Sequence, residues 1–424
     1  MRVFDVYLLD AHAGTLAARG RGVRFQYTDR ALDDDALPAL SLSLPKRAEP
    51  FADSAAGPFF RNLLPEQAYR RLVAAATRTA PEDSLGLLGA VGGECPGAVS
   101  IWPAGTRPPA TPEYRGLDAG DLAALFAPGD RTALSGAIAR GRLSLPGVQE
   151  KVALLRRDDG SWALPVNGAV TSHILKQATG AFHGLLANEL LTMILASDAG
   201  LPAAPTTLAG PGVEVLCVER FDRAAPRAPH GQARRRLHQE DFCQILGVEP
   251  ERKYEFDGGP GINACAAVLR RHSALPAEDL ERLVRWLGFD YLVGNEDAHA
   301  KNLALLYRDD GLRLAPHYDL VCTEIYEDLE RRLAMKVGGA SDIRNVQRRD
   351  WERCARGVGL PWALVRSWLL GTAEAVRSAL PGALAKCAAA TGESATLPQI
   401  AAVVERRSSQ MEKELAGRAG SPLA

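Results

Sequence analysis

The stretch that decides the fold is Gly294-Asn-Glu-Asp-Ala-His-Ala-Lys-Asn302. Within it, Asp297 stands five residues before Asn302, the spacing at which protein-kinase catalytic loops place a proton acceptor and a metal-binding amide. The same spacing occurs at Asp290 and Asn295, so spacing alone does not choose between the two pairs. Asp290 falls within a helical pattern, whereas Asp297 follows the end of that helix. We therefore expect Asp297 and Asn302 to face a ligand from a loop.

The residues that follow favour the same choice. Leu303–Tyr307 and Leu312–Ala315 have strand character and flank Asp309-Asp310-Gly311, which predicts a hairpin with an Asp-Gly turn. Tyr318-Asp319-Leu320 comes directly after it. Taken alone, Asp319 would be a helix cap or a turn former. In the order base, amide, hairpin and acid, which is typical of kinases, we expect Asp319 to be a second Mg²⁺ ligand.

Two upstream segments have the residue types that bind nucleotide phosphates. Lys176 ends the apolar run His173-Ile-Leu-Lys176, and Glu189 follows in a helical pattern; a strand lysine held by a helix glutamate orients an ammonium onto phosphates. The segment Ser144-Leu-Pro-Gly-Val-Gln-Glu-Lys151 is a candidate phosphate loop. It is only weakly glycine-rich, and its proline lacks an N–H to donate. Both segments support the kinase interpretation without deciding it.

Two other kinds of active site are disfavoured because the sequence lacks the residue spacings that they require. A transition-metal site would draw on the histidines near acids or in the proposed site, but no His-x-x-x-His or Glu-x-x-His spacing accompanies them. These histidines are His173, His238, His299 and His317. A serine hydrolase would need a Gly-x-Ser-x-Gly elbow, and the sequence contains none.

Composition indicates an intracellular globular protein. The 424 residues exceed the ~250–300 at which single cores stop growing, so we expect two lobes. Fifty Lys and Arg residues balance 51 Asp and Glu residues, so the overall charge does not indicate a nucleic-acid ligand. The run Arg234-Arg235-Arg236 is expected to be a solvated turn rather than a phosphate-binding patch. The seven cysteines contain no Cys-x-x-Cys pair, which favours a reducing cytosol over a zinc site or a disulfide framework.

We expect neither a secretion signal nor a membrane span. An acid stands within the first five residues and no apolar h-region follows. No apolar run reaches the ~18 residues that a span needs. A soluble, cytoplasmic protein is the expectation.

The pattern of elements predicts an α+β fold. Alternation at Val3, Val6 and Leu8 and a helix after Pro65 make residues 1–105 a small β-rich domain. The prolines between 103 and 115 predict a linker. Residues 106–236 add that linker and the nucleotide-binding strands, 237–416 form a helical lobe with the catalytic loop, and 417–424 form a frayed tail. The strand candidates are Lys151–Leu155, Trp162–Leu164, His173–Lys176 and Val213–Val218, and the helix candidates are Leu185–Leu195 and Leu280–Tyr291, the latter ending near Gly294.

Along almost its whole length the chain resembles the HipA family of bacterial toxin kinases. Nine short motifs in the family's order make the resemblance specific. They are Leu42–Pro45, Phe59–Glu66, Ser144–Lys151, His173–Lys176, Glu219–Arg223, Leu237–Phe242, Gly294–Asn302, Tyr318–Leu320 and Ala334–Gly339. The resemblance implies a two-lobed, protein-kinase-like fold related to phosphoinositide kinases, and an ATP-dependent serine/threonine protein kinase.

The family's site residues can be carried over one by one. The resemblance implies Asp297 as catalytic base, Asn302 and Asp319 as Mg²⁺ ligands and Ser144 as an autophosphorylation site. Glu219 and Phe221 would lie at the hinge against adenine. The implied ATP contacts are Pro146, Gly147, Val148, Gln149, Glu150, Lys151, Lys176, Glu219, Arg220, Phe221, His299, Lys301, Asn302, Tyr318 and Asp319.

The resemblance also implies partners. These are a protein substrate, which in the family's best-known member is glutamyl-tRNA synthetase, and a small DNA-binding antitoxin through which any DNA contact is made. Where the family has small residues in its phosphate loop, this chain has Leu145-Pro146, which puts the grip of that loop in question. A small-molecule or lipid kinase, and an antitoxin-bound corepressor without catalysis, remain the alternatives.

Overall fold

The alternating residues near the N-terminus form the first sheet of the computed structural model. Strand β1 (Val3–Leu8) pairs antiparallel with β2 (Ala11–Arg19) and with β4 (Val99–Pro103). Strand β3 (Gly22–Tyr27) completes the order β3-β2-β1-β4. The predicted strand near the N-terminus is confirmed, but its burial does not alternate: residues 5–8 are all buried, and Val3 is only partly buried.

The structure describes residues 2–20, 22–127, 129–177, 182–209, 215–224, 234–392 and 394–416. The predicted frayed tail, 417–424, lies outside these residues. The chain divides into two compact units. Unit 1 contains 1–179, 207–251 and 304–309, and unit 2 contains 180–206, 252–303 and 310–424. The sequence-based boundaries stay predictions.

A second sheet of unit 1 contains the predicted nucleotide-binding strands. Its order is β5-β7-β6-β8-β10-β9. The strands are β5 (Glu113–Leu117), β6 (Lys151–Arg156), β7 (Trp162–Val166), β8 (His173–Gln177), β9 (Thr206–Leu208) and β10 (Val215–Glu219). Each predicted strand is confirmed, except that residues 213 and 214 lie outside the described part of the chain. The proline-rich stretch 104–112 contains no helix or strand, as expected of a linker.

The rest of unit 1 packs around these two sheets. Val6 and Phe25 of the first sheet and Val152 and Leu175 of the second belong to one buried hydrophobic core. The helices are α1 (Asp29–Asp33), α2 (Asp53–Arg61), α3 (Gln67–Thr77), α4 (Ser84–Val91), α5 (Ala119–Leu125), α6 (Thr132–Gly141) and α8 (Phe242–Leu246). The short strands are β11 (Arg223–Ala224), β12 (Arg235–Arg236), β13 (Gln239–Asp241) and β14 (Ala304–Arg308).

A buried carboxylate, Glu94, corrects one expectation from the sequence. The Arg234–Arg236 run was expected to be a solvated turn, but Arg235–Arg236 is strand β12 and the Arg236 side chain is buried. Nη2 of Arg236 lies 2.7 Å from Glu94 Oε2. Since burying an unpaired charge is costly, the ion pair explains why this arginine leaves solvent, and the prediction is wrong for it.

Unit 2 is mainly helical. Its helices are α7 (Leu185–Asp198), α9 (Ile262–His272), α10 (Pro276–Val293), α11 (Arg348–Gly357), α12 (Trp362–Thr391) and α13 (Thr396–Ala416), and β15 (Gly311–Leu314) is its strand. Helix α10 packs against α12 and α13. The predicted helices and the strands on either side of Asp309-Asp310 are confirmed, and so is the α+β fold class. No helix among the described residues combines the length and apolar character needed to cross a membrane.

A second buried carboxyl group, that of Glu240 in β13, is held by neutral donors. Tyr307 Oη donates to its Oε1 at 2.6 Å and the Leu42 N–H to the same atom at 3.1 Å. Ser41 Oγ donates to Oε2. Burial raises the pKa of Glu240 from 4.5 to about 7, against the effect of these hydrogen bonds. The folded state therefore favours the neutral form of this side chain.

This shift makes stability depend on pH. The unfolded chain releases the Glu240 proton first as pH rises, so the contribution of this group is complete below the ordinary pKa and is lost as pH rises through about 7. We predict that Glu240→Gln, which resembles the neutral acid, reduces the fall in melting temperature between about pH 5 and about pH 8. Thermal denaturation of both proteins measures this, with the exposed Glu113→Gln as control. An unchanged pH dependence would contradict it.

Candidate active site

The predicted catalytic loop begins where helix α10 ends. Gly294 adopts a left-handed conformation with φ of 70°, and its N–H bonds to the carbonyls of Asp290 and Tyr291. Glycine adopts this conformation at little cost and is the common residue just past a helix end. A Cβ here would meet Glu324 and Val403 at 2.8–2.9 Å. Gly294 therefore ends the helix and begins the loop at a position where neighbouring residues leave little room for a side chain.

Asp297 is the exposed residue in an otherwise buried stretch. Residues 291–306 are all buried except this one. Its N–H donates to Oδ1 of Asn295 at 3.1 Å, and the neighbouring Glu296 N–H donates to Thr323 Oγ1 at 2.8 Å. The backbone is therefore held while the carboxylate points to solvent, which is the arrangement a general base needs.

Asn302 and Asp319, the predicted metal ligands, lie together in unit 2. Nδ2 of Asn302 donates to Oδ2 of Asp319 at 3.1 Å, and Oδ1 of Asn302 accepts the His299 N–H at 2.9 Å. Asp319 is exposed, and its φ of 61° is left-handed. Non-glycine residues in that region are uncommon and cluster at functional sites. The amide and carboxylate pair predicted from sequence is thus brought together.

The other residues assigned to this part of the site surround that pair. Tyr318 Oη donates to the Lys301 carbonyl at 2.7 Å, which ties the two segments to each other. The side chains of His299 and Lys301 are largely buried. The His299 ring packs edge-on against Tyr254, with 5.5 Å between centroids. All the residues assigned to the catalytic loop and to the Tyr318–Leu320 segment therefore belong to one unit.

The two predicted phosphate-binding lysines lie opposite each other in unit 1. Lys151 of β6 pairs directly with Lys176 of β8, and both are buried. Residues paired directly across antiparallel strands project to the same face, and like charges there repel. The predicted partnership of Lys176 with Glu189, which lies buried in α7 of unit 2, stays a prediction.

The candidate phosphate loop is anchored at both ends. Ser144 is fully buried and donates to the Leu63 carbonyl at 2.7 Å. Lys151 Nζ donates to the Pro146 carbonyl at 2.9 Å. Between them Gly147 has a left-handed φ of 104°, and Val148 is 41% exposed. The middle of the loop therefore faces solvent although Leu145 and Ser144 are buried.

The remaining loop residues assigned to ATP make contacts within the protein. Gln149 Nε2 donates to the Gln177 carbonyl at 2.8 Å. Glu150 forms an ion pair with Arg131 at 2.7 Å. Both side chains are thus bound by neighbouring elements, and what this loop offers a phosphate is its backbone.

The predicted hinge, Glu219–Arg223, is held by an ion-pair cluster that the sequence did not indicate. Arg220 bonds to Asp222 at 2.8 Å and lies 3.3 Å from Glu94. Arg223 lies 2.9 Å from the same Glu94 oxygen. The side chain of Arg220 is therefore taken up by this cluster, and any contact it makes with a nucleotide is through its backbone.

Sequence analysis missed Glu94 because it is far along the chain from its partners. It follows Gly92-Gly93 and belongs to none of the quoted motifs. Burial opposes its ionisation, but Arg223, Arg236 and Arg220 together hold the pKa of its carboxyl well below the ordinary value. A chemical argument could have pointed to Glu94: arginines that become buried on folding need a carboxylate partner.

An exposed carboxylate followed by an amide–carboxylate pair, with facing lysines on an antiparallel sheet, is the residue set of a protein-kinase-type phosphotransferase. Comparison with known proteins gives the family. The model of the HipA N-terminal domain matches residues 4–102 and that of the HipA-like C-terminal domain matches residues 143–380. The chain belongs to the HipA family, and its enzyme class is that of a serine/threonine kinase.

Individual relatives cover most of the chain. Y4mE of Sinorhizobium fredii, whose name proposes a kinase, is 41% identical over 396 residues, 90% of this chain and 92% of its own. The serine/threonine-protein kinase toxin HipA of Shewanella oneidensis is 29% identical over 343 residues, 77% of this chain and 76% of its own. A chain in the solved complex of HipA, HipB and operator DNA from Shewanella oneidensis MR-1 superposes with a TM-score of 0.82, at 25% identity and 97% coverage of both chains.

Proposed function

We propose that the protein is an ATP-dependent serine/threonine kinase toxin in which Asp297 accepts the proton of the attacking hydroxyl. The observation that carries the proposal is the exposure of Asp297 within a buried loop that also contains Asn302, which is hydrogen-bonded to Asp319. Phosphoryl transfer needs little beyond positioning, charge neutralisation and a proton acceptor. Asp297 would supply the proton acceptor, and Asn302 and Asp319 would supply ligands for a cation.

Asn302 and Asp319 are suited to Mg²⁺. Proteins hold this ion through one or two carboxylates, while substrate phosphates and waters complete its shell. The described residues contain no group of three or more His, Cys, Asp or Glu arranged to hold a metal. An amide and carboxylate pair that acts together with phosphate oxygens matches the way proteins hold Mg²⁺. Bound Mg²⁺ neutralises charge on the phosphates. Asn302 and Asp319 would be the ligands, and the hydrogen bond from Asn302 Nδ2 also holds the Asp319 carboxylate in place.

The ATP contacts that the resemblance implies are assigned residue by residue. Lys151 and Lys176 would meet the phosphates, together with the backbone of residues 146–150. Glu219 and Phe221 would lie against adenine, and His299, Lys301 and Tyr318 would line the site. The facing lysines support this assignment, because both are buried and they are paired directly across neighbouring strands.

For partners we propose a protein substrate and a small DNA-binding antitoxin. The Shewanella oneidensis HipA chain that this protein matches was solved with HipB and operator DNA. DNA contact would then pass through the antitoxin, in the cytoplasm, and an aminoacyl-tRNA synthetase is the substrate class to test first. Phosphoproteomics after a brief pulse of expression, compared with Asp297→Ala, would identify the acceptor. ATP consumption that needs no protein acceptor would instead indicate a small-molecule or lipid kinase, and no catalysis at all a corepressor.

The first prediction concerns the base. Asp297→Asn keeps the size and polarity of the side chain but cannot accept a proton, so we expect phosphoryl transfer to fall ~10²–10⁴-fold while ATP binding is retained. The assay is transfer of labelled γ-phosphate to myelin basic protein, a generic acceptor. Asp328→Asn, at an exposed carboxylate of the same unit, is the control. Transfer within a few-fold of wild type would remove Asp297 as the base.

The second prediction concerns the cation. Asp319→Asn keeps a residue type that tolerates left-handed backbone but removes the charge. We expect the Mg²⁺-dependent gain in ATP affinity to fall about tenfold, ~1.4 kcal/mol, and affinity without Mg²⁺ to change little. Calorimetric titration with and without Mg²⁺ measures both, again with Asp328→Asn as control. A variant with the wild-type Mg²⁺ dependence would make Asp319 a structural residue.

The third prediction concerns Ser144, which we propose is phosphorylated by the kinase itself. Its hydroxyl is buried against the Leu63 carbonyl, and a phosphoserine carries roughly −1.5 to −2 charge, so the modified segment has to leave this position. The Lys151 contact with Pro146 would go with it, and activity should be lost.

Intact-mass spectrometry after incubation with Mg-ATP tests this. We expect one added phosphoryl group in wild type and in Ser135→Ala, a control serine on α6, and none in Ser144→Ala or Asp297→Asn. Addition that persists in Ser144→Ala would place the modification elsewhere. A phosphorylated protein with full activity would remove its regulatory role.

A further inference from the structure

The catalytic loop is preceded by a second Asp-x-x-x-x-Asn pair, Asp290 and Asn295, which the proposed mechanism does not use. Asp290 lies in the last turn of α10, and Asn295 follows the glycine that ends this helix. Both are buried, at 2% and 4% exposure. Neither can reach a protein substrate from these positions, so the pair needs another explanation than chemistry on the substrate.

Hydrogen bonds join this pair to the base. Nδ2 of Asn295 donates to Oδ1 of Asp290 at 2.8 Å, and Oδ1 of Asn295 accepts the Asp297 N–H at 3.1 Å. The Asn295 N–H also donates to the Asp290 carbonyl, at 2.8 Å. The reversed amide would direct an NH₂ group at the Asp297 N–H, so the contacts determine its orientation.

We propose that Asp290 and Asn295 are positioning residues that orient Asp297, a role that rests on the proposed function of Asp297 as the base. The last turn of α10 is a fixed support, because this helix packs against α12 and α13. The Asp297 side chain is exposed, so its direction is set by its own backbone. Asn295 connects that backbone to the helix.

Gly294 and Glu296, which flank Asn295 in the chain, are held by other groups. Glu296 is bound through its N–H by Thr323 and through its carbonyl by the Ala334 N–H at 2.8 Å. Thr323 Oγ1 donates in turn to the Gly294 carbonyl at 3.1 Å. Loss of Asn295 would therefore leave the loop attached but release the N–H of Asp297, which is a local effect on the base and not a general loss of structure.

The state of Asp290 agrees with this role. Burial raises the pKa of its carboxyl well above the ordinary range, and the hydrogen bond from Asn295 only partly opposes this. A neutral carboxyl group and a carboxamide have nearly the same shape, and both offer an oxygen to the Asn295 amide. Asparagine at position 290 should therefore preserve the connection, whereas leucine should fill the same volume and break it.

The experiment compares four variants in transfer of labelled γ-phosphate from Mg-ATP to myelin basic protein. For Asn295→Ala and Asp290→Leu we expect kcat to fall about 10- to 100-fold, the effect of a base misplaced by roughly 1 Å, with KM for ATP within about twofold of wild type. Asp290→Asn should keep kcat within about twofold. The double variant Asp290→Leu/Asn295→Ala should match Asn295→Ala, because residues acting in series are not additive.

Asp279→Asn is the matched control. Asp279 is also a buried carboxylate of α10, but it binds Arg313 and Arg282 near the other end of the helix. We expect it to lower the melting temperature and leave kcat unchanged. A merely structural Asn295 would behave in the same way, so a kcat far below that of Asp279→Asn at a comparable melting temperature distinguishes positioning from stability.

Two results would overturn the proposal. A wild-type kcat in folded Asn295→Ala would show that this pair does not orient the base. If that variant does not fold, a wild-type kcat in Asp290→Leu would show the same. Loss in Asp290→Asn as deep as in Asp297→Asn would show that the Asp290 carboxyl acts otherwise than as a hydrogen-bond support. Failure of the proposed function is seen separately, as transfer that persists in Asp297→Asn.

Discussion

Unit 1 depends on one carboxylate, that of Glu94, which meets arginines from separate segments of the chain. Arg220 and Arg223 come from the predicted hinge and Arg236 from strand β12. Each guanidinium is buried, and a buried charge without a partner costs several kcal/mol. The Thr171 N–H and hydroxyl donate to the same carboxylate, at 3.0 and 2.9 Å. This cluster therefore holds the Glu219–Arg223 segment, the predicted hinge, through charged groups that are buried from solvent.

The catalytic segment of unit 2 follows a different principle. Here the constraint is the backbone: Gly294 turns the chain out of α10, and the N–H groups of Glu296 and Asp297 each have an assigned acceptor. A loop whose donors are satisfied can carry an exposed carboxylate without the whole segment moving. Placement of a reactive group on a rigid support is what transfer chemistry asks of a protein.

Much of this was predictable from local pattern. The strand at Val3–Leu8 and the apolar face that ends at Gly294 depend on neighbours in sequence, and both are reflected in the structure. The choice of Asp297 over Asp290 as the base stays a prediction, which the exposure of Asp297 and the burial of Asp290 support. The Glu94 cluster was not predictable, because its members lie up to 142 residues apart and no local pattern links them. The error at Arg236 has the same origin, since a run of arginines resembles a solvated turn until its carboxylate is known.

The sequence showed the Asp290 and Asn295 pair but not its hydrogen-bonded link to Asp297. Two identical spacings appeared as rivals for one role, and the sequence could only rank them. The structure shows that burial separates them: one pair is withdrawn into the helix end and the other is presented to solvent.

All seven cysteines of the chain are buried, and this has a practical consequence. Burial raises the pKa of the Cys95 and Cys322 thiols to about 12, and a thiol with a raised pKa forms little reactive thiolate at neutral pH. The native chain is thus a nearly silent background for thiol-directed labels. A single cysteine placed at the exposed Val148 would take up a fluorophore selectively, and its emission would follow the movement of the Ser144–Lys151 segment in real time.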